Sequence, residues 1–368
     1  MFKMIGEDLQ NVVCSMVKGA RKARIGEDKN VYIKTDSDRV SFCFDGKNLQ
    51  VIKEVESEIT NIDEVATTIF ELENKVMALP KDEIISFVKV GELLHLKWGR
   101  SSKIICETIE EKTPYIEIPE VVESIIWKEG TLHFIGNNFY PFCAKINSST
   151  ANRSPSLLGV NMSVNPGNLD VFARSSDGKK AISLKTEGCQ WFSDLKQSIP
   201  IESIKGLSEI MQKDEEVRIG VNESKTLLVF KSGLITAVSR LLTGVFPNLE
   251  AKYGNEENNI TKWTFDRMEI IELCRRVKKL SPRNPVMNVK VDGPRTKAEV
   301  PHILTQKIGA VKEGEIFDFS VHPEYLEAAA SLIRTEEIQL FFTDKNSAIT
   351  IVGNGSDQFR FLITQLRR

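Results

Sequence analysis

Phe44-Asp45-Gly46-Lys47 and Ser176-Asp177-Gly178-Lys179 carry the same Asp-Gly-Lys string, displaced by 178 − 46 = 132 residues. Short alternating apolar runs flank both: Val40 to Phe44 and Leu49 to Ile52 around the first, Leu169 to Arg174 and Ala181 to Lys185 around the second. Period-two alternation predicts strands, and Asp-Gly predicts the hairpin turn between them because it tolerates φ > 0. An amphipathic helix precedes each hairpin, and a third such helix opens near Phe265. Solenoids and propellers repeat every 20–50 residues. This spacing is instead the size of a domain, and 368/3 ≈ 123 residues per copy fits the length. The chain reads as three similar domains in tandem.

Each copy has the same internal order. In the first, Gly6 to Arg24 places Leu9, Val12, Val13, Met16, Val17 and Ala20 on one helical face. A second helix is expected from Asp63 to Met77, then strands at Ile84 to Val88, Leu93 to Trp98 and Lys103 to Glu107. In the second copy, Asn138 reads as a helix cap with Pro141 in the first turn. Phe139, Phe142, Cys143 and Ile146 then form its apolar stripe, and another helix spans Ile201 to Met211. The third copy has helices at Phe265 to Leu280 and Pro323 to Ile333. The fold class expected is α+β, with two helices packed on two antiparallel sheets in each domain. Tandem copies joined edge to edge leave unpaired strands at the ends. A head-to-tail dimer of two such arcs closes a ring with no free edge.

Apolar content of 41%, charged content of 27% and a net charge of −2 are ordinary for a globular protein and exclude an overall basic nucleic-acid binder. A single basic face on an acidic body stays open. No apolar run approaches the ~20 residues of a membrane span, so no membrane association is expected. Cys14, Cys43, Cys106, Cys143, Cys189 and Cys274 are scattered among apolar neighbours. They read as reduced thiols in a cytoplasmic protein. Phosphate-loop, zinc-protease and Cys-x-x-Cys motifs are absent. The four histidines are isolated, so no enzyme, metal or cofactor is expected.

Several strings, in this order along the chain, resemble the bacterial sliding clamp family, the beta subunit of the replicative DNA polymerase III. They are Gly99-Arg100-Ser101 between two strands, Ile204-Lys205-Gly206-Leu207 through Met211, Leu242-Thr243-Gly244-Val245-Phe246-Pro247-Asn248, and Tyr325-Leu326-Glu327-Ala328-Ala329. The resemblance covers the whole chain and implies three clamp domains, at 1–121, 122–253 and 254–368, forming half of a closed ring. It implies a processivity factor for DNA replication: a homodimer that slides on double-stranded DNA independently of sequence and tethers the replicative DNA polymerase. The polymerase and the clamp loader would dock by a short peptide motif. The alternative is a clamp-fold interaction module that does not encircle DNA.

Three sets of residues carry these expectations. For DNA they are Lys18, Arg21, Lys22 and Arg24 at the end of the first helix, Lys75, Lys145, Arg153 and Lys205, and Arg275, Arg276 and Lys279 in the third copy. Such helix-end cations are also compatible with a solvated face that complements the helix dipole. If they line a ring they contact phosphate rather than base edges. The resemblance places the partner-peptide groove at Leu157, Ser176, Gly178, Lys179, Lys180, Pro247, Leu366 and Arg367. The chain ends Thr364-Gln365-Leu366-Arg367-Arg368 where the family often ends Met-Pro-Met-Arg-Leu, so its partner motif is expected to differ. The dimer contact is placed at Lys103, Ile104 and Cys106 of one copy against Leu280 and Glu299 of the other.

Overall fold

The computed structural model describes residues 1–26, 29–110, 118–164, 170–186, 196–255, 257–283, 285–292 and 295–366. Its α-helices are α1 (Gly6–Lys22), α2 (Ile69–Met77), α3 (Thr131–Asn138), α4 (Ser149–Arg153), α5 (Ile201–Ile210), α6 (Arg267–Leu280) and α7 (Pro323–Leu332). The described residues fall into two compact units. One draws on Met1–Asn137 and Glu187–Leu242, the other on Asn138–Asn165, Asp170–Thr186 and Thr243–Arg368.

The first unit is built on an eight-stranded antiparallel sheet. Its strand order is Val121–Trp127, Val217–Asn222, Leu227–Ser232, Ile235–Arg240, Leu49–Glu56, Arg39–Asp45, Asn30–Thr35, Glu64–Thr68. Strands from the first and second sequence copies meet at its centre, where Ala237 stands opposite Val51. A five-stranded sheet (Glu58–Ile59, Phe2–Ile5, Ile84–Val90, Leu93–Trp98, Ser102–Glu107) belongs to the same unit. Leu9, Val12, Val13, Met16, Val17 and Ala20 of α1 are all buried, as their spacing requires. Each large member gains about 1.5–3 kcal/mol from full burial. Helix α1 also packs on α5 at Gly19, where a Cβ would stand 2.3 Å from Ile210 Cγ1. Only glycine allows that approach.

The second unit repeats the plan. Its main sheet runs Gly159–Val164, Val171–Ser176, Lys180–Thr186, Ser356–Ile363, Ile349–Gly353, Glu337–Phe342, Thr261–Asp266, Val311–Gly314. Here the second and third copies meet, with Ile182 opposite Phe361. A four-stranded sheet follows the order Leu304–Ile308, Arg295–Val300, Met287–Asp292, Phe319–Val321. Aromatic side chains fill the core: Trp263 meets Phe319 edge-on at 5.3 Å between ring centroids, and Phe319 lies 5.0 Å from Phe342. Such pairs add about 0.5–1.5 kcal/mol beyond area burial.

Three local expectations are corrected. The helix expected to begin at Asn138 ends there, since α3 runs Thr131–Asn138. Pro141 instead lies in a 3-10 turn at Tyr140–Phe142, because proline cannot donate into a continuing helix. The helix expected from Asp63 begins at Ile69. Glu64–Thr68, holding Val65, Thr67 and Thr68, forms a strand as β-branched residues favour, and Thr68 then caps α2 through its hydroxyl. The third correction concerns register. The ladders pair Asp45 with Gln50 and Ser176 with Ala181, a displacement of 176 − 45 = 131. The shared Asp-Gly-Lys letters are therefore one residue out of step with the geometry.

Candidate nucleic-acid interface and partner groove

The expected DNA-contacting cations divide into paired and open groups. Arg21 on α1 makes a bidentate bond to Glu73 on α2, at 3.0 and 2.7 Å. Arg24, just past α1, lies 3.5 Å from Glu202 of α5, and Lys75 lies 3.4 Å from Glu71 one helical turn away. In the second unit, Glu327 of α7 holds both Arg275 (3.0 Å) and Lys278 (2.6 Å) of α6. Arg276 bonds Gln306. Burial alone would raise the Glu327 carboxyl. The hydrogen bonds and charges of Lys278 and Arg275 outweigh it and hold the group below its ordinary value. Lys205 is half-buried on α5. Lys18, Lys22, Lys145, Arg153 and Lys279 are exposed and make no ion pair with described residues. Lys145 stands in a turn rather than on a helix, and Arg153 ends the five-residue α4. Exposed ion pairs of this kind contribute about 0–1 kcal/mol, so a phosphate can exchange for the carboxylate at little cost.

The residues expected at the partner groove all lie in the second unit, except that Arg367 lies outside the described residues. The hairpin loop Asp177-Gly178-Lys179 is tightly built. Asp177 Oδ1 accepts from the backbone N–H groups of Lys179 and Lys180, both at 2.8 Å, and the Gly178 N–H donates to Ser176 Oγ. Gly178 takes φ +86°, which disfavours any side chain. Beside the loop, the Thr364 N–H donates to the Lys179 carbonyl at 2.8 Å and the Leu366 N–H to the Ser320 carbonyl at 2.9 Å. These bonds tether the chain end beyond its last strand. Pro247 and Leu366 are half-buried. Leu157 is only 5% exposed and packs with Ala144, Ala151 and Phe246, which places it in the core below the surface.

Four further residues complete this surface. Val245 is 90% exposed, and its carbonyl accepts from the Ser156 hydroxyl at 3.1 Å. Phe246 packs on two apolar clusters, that of Leu157 and that of Ala181, Leu249, Tyr253 and Leu362. His322 stacks on Tyr325 with ring centroids 4.6 Å apart, and Lys180 Nζ sits 4.7 Å from the Tyr325 centroid. Burial lowers the His322 pKa against the pull of Glu324, and Lys180 and Lys179 lower it further. The imidazole is therefore neutral at pH 7. Val245 and Phe246 belong to a string already singled out by sequence. His322 and Tyr325 open α7, and only the fold brings them to Lys180.

Ser102–Glu107 ends the five-stranded sheet and Leu304–Ile308 ends the four-stranded sheet, so each is an open edge among the described residues. On the first, Lys103 is exposed, Ile104 half-buried, Ile105 40% exposed and Cys106 buried, so Ile105 offers the open apolar face. Burial pushes the Cys106 thiol up to about 11. Leu280, at the end of α6, is 45% exposed. Glu299 stands one strand inside the second edge, on Arg295–Val300, and pairs with Lys290 at 2.5 Å.

No family model matches the chain. In sequence it is 25% identical over 228 residues to the Beta sliding clamp of Lactococcus lactis subsp. lactis (strain IL1403). That match spans 60% of this chain and 59% of that protein. The fold likeness extends over the full length. A DNA polymerase sliding clamp from Pseudomonas aeruginosa superposes with a TM-score of 0.86 at 17% identity, covering 100% of this chain and 99% of the other. A Pseudomonas aeruginosa sliding clamp bound to griselimycin gives 0.85 at 18% identity, with the same coverage. The beta subunit from DNA polymerase of Streptococcus pyogenes gives 0.84 at 19%, covering 100% of both chains. The chain has the sliding-clamp fold over its full length.

Proposed function

We propose that this chain is a non-enzymatic processivity factor: a homodimeric ring that slides on duplex DNA and tethers a replicative polymerase. The observation that carries this reading is the pair of continuous sheets joining successive sequence copies, together with an open sheet edge in the first copy and another in the third. Ile235–Arg240 on Leu49–Glu56 and Ser356–Ile363 on Lys180–Thr186 make the joins within the chain. Ser102–Glu107 and Leu304–Ile308 are those open edges, and pairing each with the other strand of a second copy closes a ring. Three domains, at 1–121, 122–253 and 254–368, underlie this arrangement. Ile105 and Leu280 then supply apolar contact at the closure, while Glu299 supports its edge from behind.

The function follows from such closure. Lys18, Lys22, Lys145, Arg153 and Lys279 attract duplex through phosphate, and Arg21, Arg24, Arg275 and Arg276 exchange their present partners for it. Contacts of this class read no sequence and permit sliding. Pro247, Val245, Leu366 and the Ser176 to Lys180 turn receive an apolar anchor from the polymerase or loader. Sedimentation at micromolar concentration tests the closure: two chains of 41.5 kDa should travel together. Ile105→Asp with Leu280→Asp should yield monomers, because burying unpaired charge costs several kcal/mol. A wild-type chain that is monomeric throughout would favour the non-encircling module.

A further inference from the structure

The first unit contains an open cavity of about 820 Å³ that the clamp reading leaves unused. It lies at the join of the first two sequence copies, beside the hairpin Arg39–Asp45 to Leu49–Glu56. That hairpin is the counterpart of the one at the partner groove. The Arg240 N–H donates to the Asn48 carbonyl at 3.0 Å, as the Thr364 N–H does to that of Lys179. The displacement is again 179 − 48 = 131.

We propose that this cavity is a second docking site, for an extended acidic segment of a partner protein with an aliphatic anchor. Lys29, Lys47 and Arg240 line it, are exposed, and make no ion pair with described residues. Asp45 is the one carboxylate among the described lining residues, and it accepts from Gln50 Nε2 at 2.8 Å. The polar rim is already self-satisfied at Asn222, which bonds Ser224 and Thr226. Three cations that pair with no described residue therefore face the opening. Val238, Leu227 and Pro119 supply apolar surface within the same cavity. Single-stranded nucleic acid fits less well, because such sites stack bases on aromatic rings and none of the described residues lining this one is aromatic. The equivalence between hairpins leans on the partner-groove reading, whereas the charge and the cavity stand without it.

The test is fluorescence anisotropy on the full chain at low salt, with a labelled decapeptide alternating Leu with Asp and Glu. Saturable binding is expected, weakened at least tenfold in the Lys47→Glu, Arg240→Glu double variant. The two side chains are exposed, and the Lys47→Gln, Arg240→Gln variant, which only removes charge, should fall in between. Leu366→Ala should leave this binding unchanged, so failure of the groove reading remains a separate result. Absence of saturable binding, equal affinity in the double Glu variant, or tighter binding of an oligo-dT of the same charge would overturn the proposal.

Discussion

The hairpins ending at Leu49 and at Lys180 hold the same ladder register, yet they face different chemistry. The loop at Gly178 is locked by Asp177, rests near the His322–Tyr325 stack and runs beside the tethered Leu366. The loop at Gly46 has no left-handed glycine, and its Asp45 is turned to Gln50. There Gly46 answers a packing demand, since a Cβ would come 2.6 Å from Ile25 Cδ1. A shared ladder register thus supports an apolar, aromatic surface at one join and an open cationic one at the other. In a repeat protein the fold sets where crevices occur, and side chains decide what each receives.

The largest effect that separates the two regions should come from Phe246→Ala. Its ring connects two apolar clusters, and its loss should lower the unfolding free energy by about 2–4 kcal/mol. Leu227→Ala at the other join, where the side chain is half-buried, should cost visibly less in the same urea titration. Equal costs would mean that the second join is no better packed than the first.

Glycine substitutions sharpen the comparison at smaller magnitude. Gly178→Ala should cost about 1–2 kcal/mol through its left-handed backbone, and no neighbouring change should rescue it. Gly46→Ala should cost about 0.5–1.5 kcal/mol by pushing the Ile25 side chain off its rotamer. Adding Ile25→Ala should recover part of that increment in a double-mutant cycle, the remainder coming from the Leu49 carbonyl at 2.9 Å. A rescue at Gly178, or none at Gly46, would reverse the two assignments.

The smallest effect expected is pH-dependent. His322 has a depressed folded pKa, so its neutral form is favoured by folding. Its stabilising contribution is present above the ordinary histidine value near 6.5 and is lost as pH falls through that value toward the folded one. Between pH 8 and 5 the wild type should lose more thermal stability than His322→Gln. The first join has no counterpart among its cavity-lining residues. Identical pH profiles would remove His322 from the account.

The amphipathic face of α1 was legible because six buried residues share one 3.6-residue stripe. The helices at Ile201 and Pro323 were legible from the apolar periodicity that follows them. The helix expected to begin at Asn138 is displaced because Pro141 imitates a helix start when it follows Asn138, while α3 carries only a short apolar face. The repeat itself was visible, but identical letters drew the alignment one residue away from the ladder. For the site, the charge clusters could be read directly. Their carboxylate partners could not, because Arg21 meets Glu73, and Arg275 meets Glu327, 52 residues along the chain. Leu157 seemed a groove residue by position. Its burial depends on Ala144, Ala151 and Phe246, which come together only in the fold.

Topological linkage to DNA tests the central claim most directly and requires no loader. The protein is incubated with linear duplex biotinylated at both ends, the ends are then capped with streptavidin, and the complex is washed at about 0.5 M salt to remove phosphate-held protein. A sliding ring threads from the open ends and stays on capped duplex through that wash. It is lost when the caps are omitted, or when Ile105→Asp with Leu280→Asp prevents closure. Equal retention on capped and uncapped duplex, or none on either while the protein sediments as a dimer, would contradict the clamp account.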